Sequence, residues 1–271
     1  MLNETILTIV VRTARGSAMS RNKKDKKTSI EDKSSNNNVT LVSIDNVNPH
    51  EEITEPTYLE SLIRSIKESK VFNEPVIIDK NTYVILDGHH RYLSLKKLGA
   101  KYLPAVLLDY LNDADIYVDT WYPYIIGDPE VVLNSLKNLE EISVRQVDTE
   151  NEMWYFVNES KAVFGLITRE PVRYFIIMGS GDLYDEQKRV IRHLNKIPQI
   201  KIKYIDNVEK GKKLLKSREA SILLVRRPPS KLEVIRRATL GKVFPPKTTR
   251  HKLPFVVKKV CLLYTSPSPR D

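Results

Sequence analysis

The sequence predicts an α+β chain folded as two lobes, and three observations predict it. Between Val39 and Leu108, short β-branched runs alternate with two helical periodicities, enough for a compact α+β unit of about 70 residues. From Val172 to Arg237, strand and helix patterns alternate again and predict a second, α/β lobe. The 271 residues with 41% hydrophobic content suit one large or two modest globular domains.

Residues 1–38, with the basic run Arg21 to Lys27 and the polar tract Ser34 to Asn38, have no periodicity and are expected to form a disordered tail. Met19 is a candidate true start within it. Val39 to Ile44 predicts a strand, followed by a loop, Asn46 to Glu52, that carries the adjacent carboxylates Glu51 and Glu52. Tyr58, Leu59, Leu62, Ile63 and Ile66 fall on one helical face. Pro75 to Ile78 and Thr82 to Leu86 make a hairpin around Asp79-Lys80-Asn81, and Tyr92, Leu93, Leu95 and Leu98 a helix ended by Gly99. Leu103 to Leu108 is the last strand of a domain spanning 39–110. In the lobe at 111–260, Trp121-Tyr122-Pro123-Tyr124 reads as a proline-broken aromatic connection and Glu130 to Leu139 as a helix. Val172 to Met178, Ile200 to Ile205 and Ser221 to Val225 read as strands; Glu186 to Leu194, Val208 to Leu215 and Lys231 to Arg237 read as helices. His193 falls on a helix surface without a role. Leu262 to Asp271 looks like translated adapter sequence, so 261–271 are set outside the fold and the natural C-terminus is expected to be missing.

Composition narrows the function classes. The sole cysteine, Cys261, excludes a disulfide framework and a cysteine-based metal site. No segment approaches the ~20 apolar residues of a membrane span, and a cytoplasmic protein is expected. The net charge of +10 is unevenly spread: Lys+Arg against Asp+Glu is 8 to 4 over 1–38, 13 to 25 over 39–187 and 23 to 5 over 188–271. The acidic middle argues against a polyanion along that region, while the basic last third suits either a phosphorylated small ligand or nucleic acid.

The chemistry concentrates at Asp87-Gly88-His89-His90-Arg91. An apolar run from Tyr83 stops at Asp-Gly and a helix follows, so the first N–H groups of the helix and its positive dipole end form an anion site. A carboxylate, two imidazoles and a guanidinium at that place suit phosphate chemistry, with Asp87 holding a metal or orienting a base and Arg91 gripping oxygens bidentately. An N-cap aspartate before a solvated first turn fits the same letters. Gly179-Ser180-Gly181-Asp182 is a weak phosphate signal and a common turn. Lys247-Thr248-Thr249-Arg250-His251 sets two hydroxyls among cationic donors after Pro245-Pro246; it reads as an exposed basic loop or as a ligand-binding one.

Residues 39–110 resemble the ParB/sulfiredoxin-like fold, in which a Gly-x-His-Arg turn, here Gly88-His89-His90-Arg91, binds nucleotide phosphate. His89 stands where sulfiredoxins carry their catalytic cysteine, which rules out that chemistry. Pro49-His50-Glu51-Glu52, the Asp87 to Arg91 turn and Phe244 to His251, in that order over roughly residues 39–257, resemble the archaeal-type, ADP-dependent kinases of free L-serine. The resemblance implies a ParB-like lobe and a second lobe with the active site in the cleft between them. It implies ADP, or ATP, as donor, magnesium, free serine as substrate, and a place in serine and cysteine metabolism; neither nucleic acid nor membrane is an expected partner. Glu51 would be the general base, with Glu52 the alternative. Gly88, His89, His90 and Arg91 would bind the diphosphate, and Asp87 would assist through magnesium or by orienting His90. Lys247, Thr248, Thr249, Arg250 and His251 would bind the serine carboxylate or the transferred phosphate, and Trp121 would close the pocket unless it is a packed aromatic in a connection. The competing classes are a ParB-type DNA-binding protein, which needs a helix-turn-helix not found after Asp109, and a non-catalytic serine or nucleotide sensor.

Overall fold

Two core-forming patterns build two units. The computed structural model describes residues 39–53 and 56–254, and the backbone of 262–263; the expected disordered tail and Cys261 lie outside the described residues. Of the described residues, the first unit comprises 39–48, 56–113, 254 and 262–263, and the second 49–53 with 114–253. The loop carrying Glu51 and Glu52 therefore groups with the second unit, not with the 39–110 domain expected to hold it. Among the described residues no helix is long and apolar enough to cross a membrane.

In the first unit, β1 (Val39–Ser43), α1 (Pro56–Ser69), β2 (Val71–Phe72), β3 (Val76–Asp79), β4 (Ile85–Asp87), α2 (His89–Lys97) and β5 (Tyr102–Leu108) follow in turn, the predicted order with the short strand β2 added. The sheet runs β1-β5-β3-β4, parallel only between β3 and β5. Val76, Ile78, Ile85, Leu103 and Ala105 pack with Ile66, Tyr92 and Leu95 of the two helices. Tyr83 adopts φ +55°, which is why β4 starts at Ile85 and not at Thr82. Leu262–Leu263 pair with β2, so two residues set outside the fold by their composition join this unit's backbone hydrogen bonding.

The β3–β4 turn is tied by the buried Asp79. Its Oδ2 accepts from the Thr82 N–H at 2.9 Å and the Thr82 hydroxyl at 2.6 Å, and its Oδ1 accepts from the Tyr110 N–H at 3.1 Å. An amide turns one of those acceptors into a donor facing donors. Asp79→Asn is expected to cost about 1–2 kcal/mol, read from urea unfolding, and an unchanged midpoint would show the network to be dispensable.

The second unit contains β6 (Tyr117–Asp119), β7 (Tyr122–Ile126), α3 (Pro129–Lys137), β8 (Ile142–Val147), α4 (Glu150–Asn158), β9 (Phe164–Thr168), β10 (Tyr174–Gly179), α5 (Leu183–Leu194), β11 (Lys201–Ile205), α6 (Val208–Lys216), β12 (Ile222–Val225), α7 (Lys231–Thr239) and β13 (Arg250–Lys252). The main sheet is ordered β11-β7-β12-β9-β10-β8. An α/β lobe leads one to expect parallel neighbours, yet every pairing here is antiparallel. The reason is a strand inserted into each crossover. β8 and β9, joined through α4, flank β10, and β11 and β12, joined through α6, flank β7, so each is a split β-α-β. Ile222 and Leu224 face one core with α3 and α5, while Leu223 and Val225 face the other with α4 and α6. Strands buried on both faces read as unbroken apolar runs, which is how β12 reads in sequence.

The proline-broken reading of 121–126 is corrected by β7. Pro123 lies opposite Tyr204 on β11, and the β12 ladder stops one residue short of it, at Tyr124, so the N–H that Pro123 lacks is not needed on that side. After Asp109 the chain forms β6 and β7, not a helix-turn-helix.

Candidate active site

In the first unit the strand, turn and helix form as the pattern requires, but the cap is not Asp87. Gly88 is the N-cap of α2, in the left-handed region at φ +100°, and no side chain caps it. A Cβ at Gly88 would sit 3.0 Å from the Arg91 guanidinium, so glycine is demanded both by the backbone angle and by space. The Arg91 Nη2 donates to Asp87 Oδ2 at 2.5 Å and its Nη1 to the Pro75 carbonyl at 2.7 Å, with Glu74 at 3.5 Å. Arg91 thus braces the turn and neutralises the one carboxylate beside the helix N-terminus, instead of pointing its fork outward. Burial, offset in part by Asp87, lowers His89 to about 4, so its imidazole is neutral at pH 7. His90 packs edge-on against Tyr58 with ring centres 5.0 Å apart.

In the second unit three separated stretches meet. The backbone at His50–Glu52 pairs with Phe244: the Phe244 N–H donates to the His50 carbonyl at 2.7 Å and the Glu52 N–H to the Phe244 carbonyl at 3.0 Å. This sets the Glu51 side chain against the following loop. Glu51 Oε1 accepts from the Lys247 N–H at 2.8 Å, and Oε2 accepts from the Thr249 N–H at 2.7 Å and the Thr249 hydroxyl at 2.5 Å. Burial raises the Glu51 carboxyl above its ordinary range, against the pull of these donors and of Arg226. His50 is buried, and its Nε2 lies 2.8 Å from the Thr249 hydroxyl. That hydroxyl has one proton and spends it on Glu51, so the His50 Nε2 carries the hydrogen of this contact. Glu52 is committed elsewhere, to an ion pair with Lys188 and a longer one with Arg192 at 3.8 Å.

The exposed-loop reading of 247–251 is excluded, since these residues are partly or wholly buried and Arg250–Lys252 pair with β6. Trp121 is neither isolated nor only packed: Arg250 stands 5.1 Å and Lys247 5.8 Å from its ring centre. His251 lies edge-on to His50 at 5.2 Å. Thr248 departs from its expected substrate-binding role, because it is fully buried and its hydroxyl accepts from Arg226 Nη1 at 3.2 Å. The glycine turn at 179–181 offers no phosphate site, since Glu186 packs against both glycines and Asp182 caps α5.

The residue sequence reasoning missed is Arg226. It follows the buried run of β12, and that position, a cation continuing an apolar strand, was the available signal. Metal-holding capacity is limited: among the described residues no group of three His, Cys, Asp or Glu is placed to hold an ion. Asp87, exposed and already paired on one oxygen, fits magnesium held mainly by phosphate and water ligands, not a protein cage.

One unit carries a glycine turn at the N-terminus of a helix, and the other holds a half-buried carboxylate against a cationic loop; comparison with known proteins gives the class. Residues 26–120 match the ParB N-terminal domain family. The chain is 34% identical to the ADP-dependent L-serine kinase SerK of Thermococcus kodakarensis, over 81% of this chain and 89% of that protein. It is 33% identical to an ATP-dependent L-serine kinase of Staphylothermus marinus, over 80% and 86%. A solved free serine kinase in complex with AMP superposes with a TM-score of 0.72 at 33% identity, covering 83% of this chain and 92% of that one. The chain belongs to the free L-serine kinase family.

Proposed function

We propose that this protein transfers a phosphoryl group from ADP, or from ATP, to the hydroxyl of free L-serine, giving O-phospho-L-serine. The serine oxygen forms the new P–O bond, its proton passes to Glu51, and AMP or ADP leaves. The observation that carries the reading is the Glu51 carboxylate. Its Oε2 is filled by two donors and its Oε1 by one, so Oε1 keeps an acceptor position for the substrate proton, and burial makes the group more basic than a solvated glutamate. Such transfers need positioning and charge neutralisation more than covalent chemistry. The N–H groups of Gly88, His89 and His90 at the start of α2 would hold the donor phosphates, with Arg91 and Asp87 fixing the turn. Magnesium bound with the nucleotide would neutralise phosphate charge, Asp87 supplying one oxygen. Lys247, Arg250 and His251 beside Trp121 would take the serine carboxylate or the transferred phosphate. A cytoplasmic location goes with this reading, where nucleotide and free amino acid meet.

Purified protein incubated with L-serine, magnesium and either ADP or ATP should yield phosphoserine by mass spectrometry; no product with either donor sinks the proposal. The base acts deprotonated, so kcat/KM should fall as pH drops through the Glu51 pKa. Because burial raises that pKa, the acid limb is expected at higher pH than the ~4.3 of a solvated glutamate, and a limb at or below that value would remove Glu51 from the role.

A further inference from the structure

Arg226 is buried at 2% exposure, and among the described residues its hydrogen bonds go to neutral acceptors. Nε donates to the Thr120 hydroxyl at 3.0 Å and the Trp121 carbonyl at 3.1 Å; Nη1 reaches Gln187 Oε1 and the Thr248 hydroxyl, each at 3.2 Å; Nη2 reaches the Trp121 carbonyl at 2.9 Å and the Lys247 carbonyl. A buried guanidinium without a direct carboxylate partner is costly, so its location needs a reason. The reason lies on the far side of the same loop. Lys247 gives its carbonyl to Arg226 and its N–H to Glu51; Thr248 gives its hydroxyl to Arg226; Thr249 gives its N–H to Glu51. Three consecutive peptide units therefore lie between a buried cation and a half-buried anion: the middle one, Lys247–Thr248, gives its carbonyl to Arg226, and the one on either side gives its N–H to Glu51. Lys247 sits at φ +62°, a conformation a non-glycine residue keeps only when its surroundings hold it there.

We infer that Arg226 is the positioning residue of the serine site: it holds Lys247–Thr249 in the conformation that presents two N–H groups to Glu51, and it fixes the Trp121 carbonyl so that the indole stays beside Arg250 and Lys247. This rests on the reading of Glu51 as the base. It assigns to Arg226 an effect on both the aim and the charge of that carboxylate. The other titratable groups around Glu51 are His50, which contacts the Thr249 hydroxyl, with His251 edge-on to it, Tyr204 on β11, and Lys247 in the loop itself. Arg226 is the buried cation among them, so its removal takes away the charge that favours the ionised carboxylate.

The test compares wild type, Arg226→Gln, Arg226→Lys and Thr248→Val for phosphoserine formation across pH, with nucleotide affinity measured by calorimetry. Arg226→Gln should lose about 100-fold in kcat while nucleotide affinity changes less than about twofold, and its acid limb in kcat/KM should move to higher pH. Arg226→Lys keeps the charge but not the fork, so it should keep the wild-type limb and still lose about tenfold in kcat. Thr248→Val, which removes one acceptor at constant shape, should lose severalfold in kcat without moving the limb. Full turnover in Arg226→Gln, or lost turnover with an unmoved limb, overturns the inference and leaves a merely structural arginine. Should Arg226→Gln fail to fold, wild-type turnover in both Arg226→Lys and Thr248→Val overturns it equally. An inactive wild type instead overturns the serine kinase reading and this inference with it, whereas active wild type with indifferent variants overturns the inference alone.

Discussion

Glu51→Gln is expected to lower turnover by about 10²–10⁴ with little change in nucleotide affinity, the range lost when a general base is removed. The amide keeps the length and one oxygen for the N–H groups of Lys247 and Thr249. Its NH₂ cannot take a proton, and it would face one of these donors. Part of the loss would therefore come through the loop. Glu52→Gln is the control. Its carboxylate is occupied by Lys188 and Arg192 on α5, and a partly exposed pair of this kind contributes only about 0–1 kcal/mol. If Glu52→Gln is the inactive variant, the base moves by one residue; near-normal turnover in both removes this loop from the chemistry.

Adjacent carboxylates show where sequence stops. Glu51 and Glu52 are indistinguishable as letters in a loop without periodicity, and only the backbone pairing with Phe244, nearly two hundred residues away in the chain, turns one toward Thr249 and the other toward Lys188. The strand, turn and helix around Gly88 were legible because an unbroken apolar run gives way to a helical period across an Asp-Gly step. So was the order of elements in the first unit. The split β-α-β pairing was not, because a crossover helix looks the same whether or not a third strand slips between the strands it joins. Strands β8 and β9 and helix α4 went unread for a related reason, since β8 carries Arg145 and Gln146 on an edge strand whose alternation is weak. Thr248 was placed with its neighbours as a ligand contact, yet burial against Arg226 sends it inward; single-residue orientation in an irregular loop follows tertiary contacts and leaves no periodic trace.

Arg91→Ala is expected to weaken nucleotide binding by about 1.5–3 kcal/mol, the scale for losing charge-assisted hydrogen bonds in a partly buried setting. The structure changes how that loss arises. Arg91 donates to Pro75 and Asp87, so its removal frees the end of β3 from the turn and leaves the Asp87 carboxylate uncompensated at the helix N-terminus, where it would repel the phosphates the turn is built to hold. A double variant separates the two effects. With Asp87→Asn added and ADP titrated without magnesium, so that the metal role of Asp87 does not enter, the repulsion disappears, and about half of the lost affinity should return if charge is the larger cause; no recovery would assign the loss to the loosened turn. Unchanged affinity in Arg91→Ala alone, measured by calorimetry with ADP, would mean that Gly88 and the helix N–H groups hold the nucleotide without the brace.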